Sequence, residues 1–204
     1  MPIGMANRNT FVIALFFAVL ISGCGSESST TPQADQKQSA DISGLQAISS
    51  MMPAAEKQFI AVAKDYAEKY KNADNELKKS SVWKERSSAL RKIPITKNGE
   101  KFSGILDDMG TTGNGDAYIV VRIDDEVTLS TWNNAFSDIS DKTLIKNGSK
   151  EYTALSAMKK GDAIAFSAQI KMDGKGITEE GKMTEPDFAT RFTNISPLHA
   201  TPPR

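Results

Sequence analysis

The sequence predicts an α+β fold in which amphipathic helices come first and five β-strands follow, with one helix set between the third and fourth strands. Two patterns in the 204 residues support this. Phe59, Ala63, Tyr66, Tyr70, Ala73 and Leu77 recur at helical spacing, whereas "AYIVVRID" and "EVTLSTW" alternate with period two and are bounded by glycine and aspartate.

The first element justifies itself by charge and hydropathy. Arg8 precedes an apolar run from Phe11 to Ile21, and Ser22 and Gly23 follow it. A positive flank, a short apolar stretch and small residues have the shape of a secretory signal. The run of 11 residues is shorter than the roughly 20 that a helix needs to cross a bilayer. Residues 1–23 are therefore expected to be a signal peptide.

Leu20-Ile21-Ser22-Gly23-Cys24 resembles the bacterial lipobox, with Ile21 standing where alanine or serine is common. The resemblance implies diacylglyceryl attachment to the Cys24 thiol, cleavage between Gly23 and Cys24, and acylation of the new amino group, commonly by palmitate. Gly25 and Ser26, in place of an aspartate, imply by the same resemblance the outer membrane facing the periplasm. Multiple acyl chains make such an attachment long-lived, because each buried methylene contributes about 0.8 kcal/mol.

Residues 24–52 are expected to form a disordered tether. "GSESSTTPQADQKQSADISG" is rich in serine, threonine and glutamine and too poor in large apolar side chains to offset chain entropy. As flexible coil these twenty residues would span roughly 25 Å. The helical segment is expected over 53–92, with Pro53 in the first turn and Glu56 favouring the helix dipole. A break is expected near Lys79-Ser80-Ser81, after which Trp83, Arg86 or Ser87, and Leu90 mark a second helix.

Strands are expected in "KFSGILDDM", "AYIVVRID" and "EVTLSTW", forming a meander. A polar stretch then leads to a helix at "KEYTALSAM" and a strand in "KKGDAIAFSAQI". A hairpin-like segment carrying Gly174, Gly176 and Gly181 precedes the last strand in "PDFATRFTNISPL". Three strands, a helix and two strands is the order of a five-stranded OB barrel, which "LSAMKKGDAIAFSAQI" resembles at its helix-to-fourth-strand junction. "TWNNAFSDISDKTLI", "MKKGDAIAFSAQI" and "PDFATRFTNI" also resemble blocks of an uncharacterised OB-like domain of bacterial and phage-associated proteins, and "NELKKSSVWKERSSAL" extends the likeness upstream. This implies a barrel domain over 93–198 with a tail at 199–204.

Composition narrows the chemistry. With a single cysteine, the chain forms no internal disulfide. One cysteine committed to lipid and one histidine, His199, in a proline-flanked tail build neither a zinc nor a haem site. Serine catalysis would need an adjacent base, and no nucleophile motif is present. "SDISD" has the residue types of caps and turns. Asp107-Asp108, Asp124-Asp125 and Glu179-Glu180 are acid-base candidates by type, yet all adjoin expected turns. Asp107, Asp108, Asn114 and Asp116 supply oxygen ligands without the spacing of a calcium loop. No cofactor is expected.

The barrel resemblance implies a ligand face on the second and third strands. If Ile119, Val121 and Ile123 point inward, Tyr118 and Arg122 point outward, with Trp132 ending the next strand. Residues 45–92 carry ten basic and six acidic side chains, and residues 93–204 thirteen basic and sixteen acidic. That acidic balance opposes a nucleic-acid partner, which needs clustered positive charge. The leading expectation is a lipid-anchored envelope binding or adaptor protein without catalysis, its ligand a protein, peptide or glycan. The alternatives are a carboxylate-based periplasmic hydrolase, an OB-type nucleic-acid-binding protein, and a phage-exclusion or envelope-regulatory lipoprotein.

Overall fold

Helix α1 (Ala54–Lys71) opens on Pro53, whose missing N–H costs a helix start nothing, and carries Glu56 in its first turn and Lys69 and Lys71 in its last. In this computed structural model, residues 44–46, 48–96, 101–171 and 179–198 are described. The signal segment, Cys24, most of the expected tether, the Gly174 and Gly176 turn and His199 lie outside the described residues.

The apolar stripe of α1 is real: Phe59, Ile60, Ala63, Ala67 and Tyr70 are buried. It ends earlier than the periodicity suggests. The break falls at residues 72–75, because Asn75 caps the next helix, its side chain accepting from the Lys78 N–H at 3.0 Å. Helix α2 (Glu76–Arg91) thus runs straight through Lys79-Ser80-Ser81, and Leu77 is 83 % exposed instead of joining the stripe. The α2 helix buries only Arg86, Ser87 and Leu90. A second correction concerns the tether. Residues 44–46 and 48–49 are helical, and Leu45, Ile48 and Met52 are buried in the core. Three large apolar side chains in eight residues suffice to dock this segment.

A 3₁₀ turn, Pro94–Thr96, leads to the strands. They are β1 (Lys101–Thr111), β2 (Ala117–Asp124), β3 (Val127–Ser130), β4 (Ala163–Ile170) and β5 (Asp187–Pro197), with helix α3 (Lys150–Ser156) between β3 and β4 and helix α4 (Glu179–Thr184) between β4 and β5. The segment expected as a hairpin is therefore helical around Gly181. The strands close into a five-stranded barrel in the order β1-β2-β3-β5-β4. Every neighbouring pair is antiparallel except β3 and β5, which run parallel through Thr128↔Asp187, Leu129↔Phe188 and Ser130↔Ala189.

Alternation sets which side chains fill the barrel. Ile119, Val121, Ile123, Val127 and Leu129 are fully buried, and Tyr118, Val120, Arg122, Thr128 and Ser130 lie half-buried on the outer surface. Phe166 stacks on Phe102 with centroids 5.7 Å apart and meets Phe192 edge-on at 5.1 Å, a geometry aromatic rings favour. Gly104 is required where β1 crosses β2: a Cβ there would sit 2.6 Å from Val121 Cγ1 and 2.9 Å from the Arg122 carbonyl oxygen.

Two buried charged residues help dock the helices. Arg86 donates from Nη1 to the Lys182 carbonyl at 2.7 Å, one of the orphan acceptors at the end of α4. Its guanidinium lies 5.1 Å from the Phe188 ring centroid, and Phe188 in turn meets Phe59 edge-on at 5.0 Å. This chain of contacts ties α2, β5 and α1 together. Burial alone pulls the Arg86 pKa down to about 10. Glu56 is the other: 1 % exposed, its two oxygens each 3.2 Å from the Ser103 N–H. In β1, Ser103 pairs with Ala165 of β4, but the β2 pairing begins only at Ile105. The carboxyl of Glu56 therefore satisfies a strand-edge donor that β2 does not reach.

Candidate functional site

The outer face of β2 and β3 is built by register. Tyr118 lies opposite Gly110, Val120 between Asp108 and Ser130, and Arg122 opposite Thr128. Gly110 lets the Tyr118 ring lie across β1, since a Cβ there would come within 2.5 Å of the phenolic oxygen. Arg122 donates to Asp107 at 3.4 Å. Trp132 is fixed just beyond β3, its backbone N–H donating to Thr143 Oγ1 at 2.8 Å and its indole N–H to Asp141 at 2.9 Å. Tyr118 and Arg122 thus lie half-buried on the outer side of β2, with Arg122 engaged by Asp107, while Trp132 follows β3 and is engaged by Thr143 and Asp141.

Beside this row the parallel seam opens a depression of about 490 Å³, lined in part by Val120, Thr128 and Asp187. Asp187 is held by Thr128 Oγ1 at 3.1 Å and Ser130 Oγ at 2.8 Å. The rim adds Asp125, Glu126 and Glu185 against the cation Lys71. An acidic rim attracts a cationic or neutral hydrogen-bonding ligand and repels phosphate chains. Above Trp132, the Lys182 ammonium sits 5.6 Å from the ring centroid. Burial draws its pKa below the ordinary lysine value; Asp187 opposes this, Arg86 adds to it and Asp141 opposes it.

Asp108, Asp116 and Asp124 are spent separately, and the side chains of Glu179 and Glu180 are not among those described. Asp124 accepts from Lys64 of α1 at 2.8 Å, Asp108 lies 3.7 Å from Lys160, and Asp116 accepts from Lys146 at 2.7 Å and from the Asn147 N–H. The hydrogen bonds from Lys146 and Asn147 hold the Asp116 pKa below the usual range. Among the described residues no three acidic, histidine or cysteine side chains gather as a metal site. Asp138 of "SDISD" is a loop organiser, accepting from the Thr143 N–H and hydroxyl and from the Leu144 N–H. No described helix is long and apolar enough to cross a membrane.

Glu56 was legible in the sequence only as a helix-start residue, although it lies three residues before Phe59 on the apolar stripe. Its pKa rises to about 8, chiefly through burial, with the hydrogen bonds from Ser103 and the charge of Lys57 opposing. It sits under the helix, away from the outer face. Compared with known protein families, curated proteins and solved structures, the chain matches none.

Proposed function

We propose that the chain is a lipid-anchored binding or adaptor protein of the bacterial cell envelope, held through Cys24 and working without catalysis. The single observation that carries the binding role is the acid-rimmed depression beside Val120, Thr128 and Asp187, set into the outer β2–β3 face. The barrel reads as OB-like, supported by the order β1-β2-β3-β5-β4, the parallel β3–β5 seam and a helix between β3 and β4. In barrels of that kind the face of the second and third strands serves as a ligand platform. Its charge here suits a basic peptide or protein segment, with a neutral glycan next, better than nucleic acid.

The anchoring half of the reading is supported by "LISGC" after a charged flank and an apolar run. The outer membrane, facing the periplasm, is the proposed address.

Photo-crosslinkers placed at Val120 and Thr128 of the anchored chain, in its own envelope, test the binding role. Capture of the same ligand from both positions, lost on Asp187→Lys and absent from a crosslinker at Lys57, is the expected result. Turnover of an envelope substrate that one carboxylate substitution abolishes would overturn it in favour of a hydrolase.

A further inference from the structure

The loop between β3 and α3 presents a surface that the ligand-face reading does not use. Phe136 is 86 % exposed and Ile139 69 %, three residues apart on consecutive turns. Large apolar side chains this open cost solubility unless something covers them. The loop holds them out through its own hydrogen bonds. Asp138, between them, turns inward to Thr143 and Leu144, the Asn134 side chain accepts from the Ser137 N–H at 2.8 Å, and Ile145 exchanges backbone bonds with Ala117 at 2.8 and 3.0 Å. Lys142 takes a positive φ of 52°, with its N–H donating to the Asp138 carbonyl. A lysine in that conformation is held there by its surroundings.

What lies around the two apolar side chains identifies the covering surface. The exposed neighbours Asn133, Asn134, Ala135 and Ser140 are uncharged. Asp138 is buried, and Asp141 is bonded to the indole of Trp132. The cations at the base are exposed Lys142 and half-buried Lys182, the latter above Trp132. Two open apolar side chains among uncharged exposed neighbours, with the exposed cation Lys142 three residues beyond Ile139, suit the acyl boundary and phosphate layer of an anionic bilayer.

We propose that loop 133–142 is a membrane-docking tip: Phe136 and Ile139 enter the acyl boundary of an anionic leaflet while Lys142 meets its phosphates. The inference rests on the proposed Cys24 anchor for bringing the chain to a membrane. Docking at the tip would fix the orientation of the barrel on its leaflet.

The test uses the full chain recovered from membranes and reconstituted into vesicles of phosphatidylethanolamine and phosphatidylglycerol with brominated acyl chains. Tryptophan is introduced singly by Phe136→Trp, Ile139→Trp and Leu77→Trp, with the parent chain, which contains Trp83 and Trp132, as baseline. All three positions are exposed, and Leu77, among Asp74, Glu76 and Lys78, serves as the control away from the tip. Added quenching and a blue shift at 136 and 139, but not at 77, are expected. Lys142→Gln, or phosphatidylcholine in place of phosphatidylglycerol, should lower tip insertion by roughly fivefold, as one lysine no longer meets an anionic headgroup. Quenching at 136 no greater than at 77 overturns the proposal, as does crosslinking of position 136 to a protein in its place. Vesicle flotation reads the anchor separately: a chain that floats with an unquenched tip defeats the tip alone. A chain that fails to float defeats the anchor, and quenching with vesicles in excess then decides the tip.

Discussion

Replacing Glu56 by glutamine should stabilise the protein at neutral pH and leave it unchanged in acid. The carboxyl is 1 % exposed and faces Ser103, whose N–H lies 3.2 Å from each oxygen and whose hydroxyl lies 3.4 Å from Oε2. The Ser103 N–H and hydroxyl both donate to the carboxyl, contacts that the carbonyl oxygen of a glutamine also accepts. Ionisation places a charge in a buried position, and that cost outweighs the bonds from Ser103. The folded pKa is raised from 4.5 to about 8. Because it is raised, the protonated form is favoured by folding, so the contribution is complete below pH 4.5 and is lost as pH rises through 8. The full loss is on the order of 5 kcal/mol, of which about 3 kcal/mol has gone by pH 7. For a domain of this size 3 kcal/mol corresponds to roughly 6–12 °C in Tm. Thermal or urea unfolding of the parent and Glu56→Gln from pH 4 to pH 9 reads the difference, in which every other titrating group cancels. A gap near zero at pH 4 that widens steadily to pH 9 is expected. A gap that does not change with pH, or a variant less stable throughout, would refute the reasoning.

Phe166→Ala, which empties the space between Phe102 and Phe192, should cost about 3–5 kcal/mol in the same unfolding assay. Gly104→Ala drives a methyl into Val121 and the Arg122 carbonyl and should cost about 1–3 kcal/mol, although the residue is on a strand where alanine is otherwise tolerated. Arg86→Ala should destabilise by about 1–3 kcal/mol by orphaning the Lys182 carbonyl and uncovering Phe188, whereas Arg86→Met, which keeps the packing, should recover most of that loss.

The strands were legible because the inward residues Ile119, Val121 and Ile123 alternate with polar or smaller ones and each strand is bounded by turn residues. The helix after β3 was legible in "KEYTALSAM", although its N-cap, the Ser149 hydroxyl that accepts from the Tyr152 N–H, was not read from the sequence. The break between α1 and α2 was not. Helical spacing carries Tyr70 on to Leu77, and only the capping geometry of Asn75 shows that the chain turns first. The docking of residues 45–52 was hidden for a related reason: Leu45, Ile48 and Met52 are too few for a periodic signal, and their burial depends on core surfaces distant in sequence. At the site, alternation identified the outer face of Tyr118 and Arg122. It could not show that Asp107 and Asp141 already engage Arg122 and Trp132, because those partners come from another strand and a loop. The depression at the parallel seam was likewise invisible, since it forms only when Asp187 of β5 closes against Thr128 of β3.

The most direct test of the account is the mass of the N-terminal peptide of the chain recovered from the membrane fraction of its host. A peptide that begins at Cys24 and carries a diacylglyceryl thioether and an acylated amino group is the predicted result, with Cys24→Ala yielding a chain that is uncleaved or soluble. A membrane-associated chain with an unmodified Cys24 thiol would contradict it.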